Sequence, residues 1–296
     1  MSKHRFGRLI TAMITPFDAN LELDLDRTEE FADRLVKGGT DSIVVCGTTG
    51  ECPTISYPQK KDVIKAVVRA VDHRVPVIAN VGDNCTANTI EFAADVEKIG
   101  IDGFMCVVPY YNKPPQDGLY QHFKAIANST ELPIVLYNIP GRCIVNMTAE
   151  TTLRLAHDVK NIVAIKEASG NLEQVKAIID DAPDGFDVYA GDDSITYDLM
   201  KIGGVGVIST ISNVATARMK EIVDACALSN WDKARELNEK LLPLMNGLFK
   251  TTNPILVKEA LRLAGFNVGG VRLPLINATD EQIAELEITM RAVGVL

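Results

Sequence analysis

No uninterrupted apolar stretch approaches the roughly 20 residues a membrane-spanning helix requires, so helical spanning classes are excluded. The basic start Met1–Phe6 is followed by neither an apolar segment nor a small-residue cleavage site, which argues against a secretory signal. The six cysteines, Cys46, Cys52, Cys85, Cys106, Cys143 and Cys226, contain no Cys-x-x-Cys pair, and several stand inside apolar runs. They read as reduced core or pocket residues of a cytoplasmic protein, not as a disulfide framework or a zinc cage. The histidines His4, His73, His122 and His157 are scattered without the spacing of a metal site, so no metal is expected. Positive charge is in deficit: 30 Lys and Arg against 39 Asp and Glu leave a net −9, which excludes a general affinity for nucleic acid. Low-complexity tracts are absent too.

What remains is an ordinary soluble composition, 47% hydrophobic and 23% charged, in a chain of 296 residues that can bury a large core. Eight short apolar, β-branched runs recur: Leu9–Ile14, Ser42–Cys46, Val75–Val81, Gly103–Val108, Pro133–Tyr137, Ile162–Lys166, Asp187–Ala190 and Val205–Ser209. Segments of helical period separate them, such as Thr28–Lys37 and Pro58–Ala70. Thr86 and Thr148 stand where helix caps are expected, and Gly38-Gly39 and Gly100 where helices should close. Strand alternating with helix predicts parallel strands joined by right-handed crossovers. Eight such units over about 210 residues predict an α/β fold, a (β/α)8 TIM barrel. An open doubly wound sheet would place a Gly-x-Gly-x-x-Gly turn after the first strand, where this chain has Thr15-Pro16-Phe17-Asp18. After Ser209 no strand is evident. The expected organisation is a barrel with the active site over residues 1–224 and a C-terminal helical extension, a bundle, over 225–296.

Chemistry in such a barrel gathers where strands end. Lys166 closes an apolar run, and a lysine deprived of water loses its proton more readily and becomes a nucleophile. Its alternative is a strand-end lysine whose stem lies on the sheet and whose head reaches solvent. Strand two ends in Gly47-Thr48-Thr49-Gly50-Glu51, a tight turn that aims hydroxyls and N–H groups at one spot, or a plain turn with Glu51 as a helix cap. Tyr110 and Tyr111 follow strand four, Tyr137 and Arg142 strand five, Gly191-Asp192-Asp193 strand seven, and Gly203–Ser209 carries strand eight. Each has a structural reading: interface aromatics, a surface ion pair, a helix cap, close packing or a phosphate loop. Together, an amine, a phenol, paired hydroxyls and a guanidinium at one barrel mouth are the parts that condense a 2-oxo acid through a Schiff base.

From Gly7 to the C-terminal helices the chain resembles the dihydrodipicolinate synthase (4-hydroxy-tetrahydrodipicolinate synthase) family of the pyruvate-dependent class I aldolases. The resemblance lies in Gly47–Glu51, Pro109–Pro114, Gly118–Phe123, Tyr137–Pro140 with Arg142, Ile165–Asn171, Gly191–Asp193 and Gly206–Ser209. The Thr48-Thr49 pair, the tandem tyrosines and Arg142 favour this family over sialic acid lyases and keto-deoxy-sugar aldolases, which are the alternative.

The resemblance implies condensation of pyruvate with L-aspartate-4-semialdehyde, the first committed step of diaminopimelate and lysine biosynthesis. It implies Lys166 as the Schiff-base residue, with Tyr137, Thr48 and Tyr111 as a proton relay. Thr49 would hold the pyruvate carboxylate and Arg142 that of the semialdehyde, while Gly191 and Ile208 supply backbone around Lys166. It implies no organic cofactor. Tyr111 would reach the neighbouring subunit's site in a homodimer, two of which pair as a homotetramer. It further implies that feedback inhibition by L-lysine is weak or absent. At the interface positions that bind that ligand in inhibited members (Cys52, Pro53, Tyr57, Lys60, Asn84, Asn88 and Tyr110), this chain presents Lys60 and the uncharged Asn88.

Overall fold

The computed structural model describes residues 4–296, and the first three residues of the basic start Met1–Phe6 lie outside that range. Eight strands close into a barrel: β1 (Leu9–Ala12), β2 (Ser42–Val45), β3 (Val77–Asn80), β4 (Gly103–Val107), β5 (Ile134–Asn138), β6 (Ile162–Glu167), β7 (Asp187–Ala190) and β8 (Gly206–Ser209). All neighbours are parallel, and β8 returns to β1 with Leu9 opposite Val207 and Thr11 opposite Ser209. The barrel and each of its eight strands stand where the sequence predicts them. Boundaries differ by at most two residues, and at the starts of β3 and β5 a proline is the reason. Pro76 and Pro133 lack the N–H a ladder needs, so β3 and β5 begin just after them.

The apolar runs are nearly continuous because both faces of the sheet are covered. Alternate residues of the strands fill the barrel, among them Ile10, Val44, Ile78, Met105, Val135, Ala164, Tyr189 and Ile208. Their neighbours, such as Ile43, Phe104, Leu136 and Ile165, pack outward against the helices in a second, larger core.

Thr148 caps the helix Ala149–Asp158 by accepting the Thr151 N–H at 3.3 Å. Thr86 does not act as a cap. The helix Thr86–Glu97 has Cys85 at its N-cap without a side-chain bond, and the Thr86 hydroxyl is engaged by His122 Nδ1 at 2.9 Å. Gly39 and Gly100 take φ of +96° and +91° after their helices, the conformation that glycine adopts without a Cβ penalty.

Beyond β8 come the helices Ser212–Ala227, Trp231–Gly247, Ile255–Leu263 and Asp280–Ala292. The first runs across residue 224 and is tied to β1. Asn213 donates to the Ala12 carbonyl at 2.8 Å and accepts the Ile14 N–H at 3.1 Å. No described helix is long and apolar enough to cross a membrane.

Leu136 is fully buried, whereas Leu228, at the end of the helix Ser212–Ala227, is 81% exposed. Leu136→Ala should lower unfolding free energy by about 2–5 kcal/mol, and Leu228→Ala should stay within about 0.5 kcal/mol of the parent. Urea midpoints measure both, and similar shifts would contradict this placing of the core.

Candidate active site

Side chains alternate across a strand, so Lys166 faces the barrel interior with Ala164 while Glu167 faces out. Glu167 is satisfied by Asn138 and Gln174, both donating at 3.1 Å, and by the Ser169 N–H at 2.7 Å. Lys166 is 5% exposed. Burial lowers its ammonium to about 8; the Asp193 charge opposes this, the Arg142 charge reinforces it, and Asp192 opposes it weakly. Asp193 comes from the turn after β7 and is itself buried. One of its oxygens accepts the Thr210 and Ile211 N–H groups, each at 2.9 Å, and burial raises the carboxyl to about 6. Asp192 caps the short turn Asp193–Ile195, taking the Ser194 N–H at 3.0 Å.

Tyr137 on β5 lies beside Lys166 in register, and the amine sits 4.4 Å from the centroid of its ring. Burial pushes the Tyr137 phenol well above its ordinary value, opposed by a hydrogen bond with Thr48 and by the Arg142 charge. The phenol therefore holds its proton at neutral pH. Alone it is a donor, and with the Thr48 hydroxyl it is a path for protons.

Thr48 and Thr49 belong to a turn closed by the Glu51 N–H on the Thr48 carbonyl at 3.0 Å. A Cβ on Gly50 would meet the Met13 carbonyl oxygen at 3.1 Å and the Cys46 Cα at 3.2 Å, so the turn packs close to the barrel only with glycine there. Thr49 is buried; its Oγ1 accepts from Asn253 Nδ2 at 2.9 Å and lies 3.3 Å from Thr210 Oγ1. Arg142 stands in the one-turn helix Pro140–Cys143, exposed, with one nitrogen 3.5 Å from the Asn253 carbonyl. Gly191 lets the ends of β6 and β7 converge: a Cβ there would sit 2.5 Å from that of Ala168. Ile208 is buried in the barrel interior, in the same apolar cluster as Tyr137.

Thr48, Tyr137 and Arg142 line a cavity of about 270 Å³. Its walls also include Cys52, Pro53, Tyr57, Lys60 and Tyr110, so five of the seven positions named for L-lysine share this space. Lys60 Nζ lies 5.0 Å from the Tyr57 ring centroid. Lys166, Thr49, Gly191 and Ile208 are not among its walls, and Lys166 meets it only through the Tyr137 ring. Tyr111 stands apart from all of these: it is 87% exposed at a φ of +74° and does not line the cavity.

Sequence reasoning overlooked Asn253 and Thr210. They reach Thr49 from 204 and 161 positions away, and no local pattern marks them. The assembled groups are a buried amine against a phenol ring, a hydroxyl bonded to that phenol, a second buried hydroxyl in the same turn and an exposed guanidinium.

The sequence model of the dihydrodipicolinate synthetase family matches residues 5–293. The 4-hydroxy-tetrahydrodipicolinate synthase 1 of Halalkalibacterium halodurans is 51% identical over 284 residues, covering 96% of each chain. The 4-hydroxy-tetrahydrodipicolinate synthase of Moorella thermoacetica is 50% identical over 292 residues, covering 99% of this chain and all of that one. Among solved structures, the enzyme of Cyanidioschyzon merolae with lysine bound superposes with a TM-score of 0.97 at 43% identity, over 99% of this chain and all of that one. With the family model spanning almost the whole chain and half the residues shared with named relatives, this protein belongs to the dihydrodipicolinate synthetase family.

Proposed function

We propose that the chain catalyses the reaction for which its relatives are named, joining pyruvate to L-aspartate-4-semialdehyde through a Schiff base on Lys166. The observation that carries this reading is the enclosed Lys166 amine against the Tyr137 ring. The neutral amine attacks the pyruvate C2 carbonyl and water leaves, giving an imine. Loss of a C3 proton gives an enamine, whose carbon bonds to the aldehyde carbon as the aldehyde oxygen becomes a hydroxyl. The amine of the semialdehyde then closes on the imine carbon and releases Lys166. Tyr137, relayed by Thr48 and by Tyr111, delivers and recovers the protons. Thr49 holds the pyruvate carboxylate and Arg142 that of the semialdehyde, as a charge-assisted pair. Gly191 and Ile208 shape the backbone around the imine. No organic cofactor enters this scheme.

Borohydride with pyruvate should leave one reduced adduct per subunit, on the Lys166 peptide. With a pKa near 8, about a tenth of the amine is neutral at pH 7, against roughly 3 in 10,000 for an ordinary lysine. Burial penalises the charged form, so the proton leaves at lower pH than usual. The initial trapping rate at low pyruvate should rise about tenfold from pH 7 to 9 and then level. A rate still climbing at pH 10, or an adduct on another lysine, contradicts the assignment.

Arg142→Ala removes a charge-assisted bond of about 1.5–3 kcal/mol. The KM for the semialdehyde should rise roughly ten- to a hundredfold, with that for pyruvate much less affected. Equal effects on both substrates count against this role.

The exposed Tyr111 finds its place in the relay only in a partner subunit, so the active unit is a dimer, and dimers pair as a tetramer. Mixing inactive Tyr111→Phe and Lys166→Ala enzymes should restore part of the activity once subunits exchange. Exchange demonstrated by mass, with activity still absent, rules out completion of the site in trans.

A further inference from the structure

Glu51 follows the two threonines of the β2 turn and takes a left-handed backbone conformation, φ 54° and ψ 37°, without the freedom of glycine. Its side chain is wholly buried, so a carboxylate there needs partners. Both come from the C-terminal extension. Lys258 Nζ is 2.5 Å from one oxygen, and the Arg272 N–H donates to the other at 3.0 Å. Lys258 also donates to the Gly270 carbonyl at 2.8 Å. Lys258 and Arg272 both lie against the Phe17 ring, 4.0 and 4.4 Å from its centroid. The Arg272 guanidinium is fixed in turn on the Leu21 and Thr54 carbonyls, at 2.8 and 3.1 Å.

None of Glu51, Lys258 and Arg272 lines the substrate cavity. They act on the turn instead. The Glu51 N–H holds the Thr48 carbonyl, and Asn253, just before the Lys258 helix, holds the Thr49 hydroxyl. One stretch of the extension thus grips the turn at Thr49 and at Glu51, whose own N–H closes it on Thr48. A buried ion pair is a weak source of stability, because desolvation offsets the attraction. A rigid two-point grip on a turn is a source of fixed geometry.

We propose that the buried Glu51–Lys258 pair, braced by Arg272, positions the turn so that the Thr49 hydroxyl meets the carboxylate of the 2-oxo acid, and the C-terminal extension thereby sets pyruvate affinity without touching the reacting atoms. This rests on the reading of Lys166 as the pyruvate-binding amine.

The test is borohydride trapping at Lys166 as a function of pyruvate concentration, on the full-length enzyme and on Glu51→Gln. The double variant Glu51→Gln/Lys258→Met leaves no unpaired charge and carries the measurement if the single variant does not fold. Either variant should reach the parent's plateau of adduct, with the half-saturating pyruvate concentration raised tenfold or more. The KM for the semialdehyde at saturating pyruvate should stay within twofold. A purely structural role would lower the plateau and leave the half-saturating concentration unmoved, and that result overturns the inference. A parent enzyme that traps no pyruvate overturns the Schiff-base reading and this inference with it. A parent that traps normally beside an unshifted, folded variant overturns this inference alone.

Discussion

An ammonium group enclosed at the end of β6, with the apolar filling of a closed barrel behind it and an aromatic ring 4.4 Å away, is the constraint on which the rest of this site depends. Removing water costs the charged form more than the neutral one, and that difference gives the amine its reactivity near neutral pH. An adjacent free carboxylate would cancel the effect by stabilising the cation. The nearest acidic group in electrostatic terms, Asp193, has one oxygen committed to two backbone N–H groups, and burial holds its carboxyl up near 6. Its charge opposes the shift of Lys166, and burial outweighs it.

The same enclosure divides the work among the other groups. Tyr137, buried with Lys166, keeps its proton, and the half-buried Thr48 is hydrogen-bonded to it on the side toward solvent in the proposed relay. Arg142 stands at the exposed rim, where a full charge carries little desolvation cost and can meet an anion arriving from solvent. Neutral chemistry at the floor and charge at the mouth follow from one gradient of burial along the barrel axis.

The C-terminal helices are joined to this gradient from outside. Asn213, Asn253 and Lys258 each insert one polar group into the end of the barrel: at β1, at Thr49 and at Glu51. These contacts are few and buried, where an unmet polar group is expensive, so they specify how the extension sits more sharply than apolar packing would.

The sequence by itself determined the barrel. Eight unbroken apolar runs, each followed by a helical period, leave little choice of topology once parallel strands must have both faces covered. It also put forward Lys166, Tyr137, Thr48, Thr49 and Arg142 as the proposed site, because the ends of strands can be read locally and these residues stand at the ends of β2, β5 and β6 or just beyond them. It misplaced the Thr86 cap, since a hydroxyl at a helix start can be claimed by a distant side chain, here His122. Only the tertiary structure decided the electrostatics and the supports. The acidity of Lys166 is a property of the volume around it, to which β5, β7 and the turns after them contribute. Asn253, Thr210, Lys258 and Arg272 act across 161 to 221 positions of chain, a separation at which neither spacing nor periodicity carries information. The exposed ring of Tyr111 shows the same limit one level higher, because a lone chain gives it nothing to bury against.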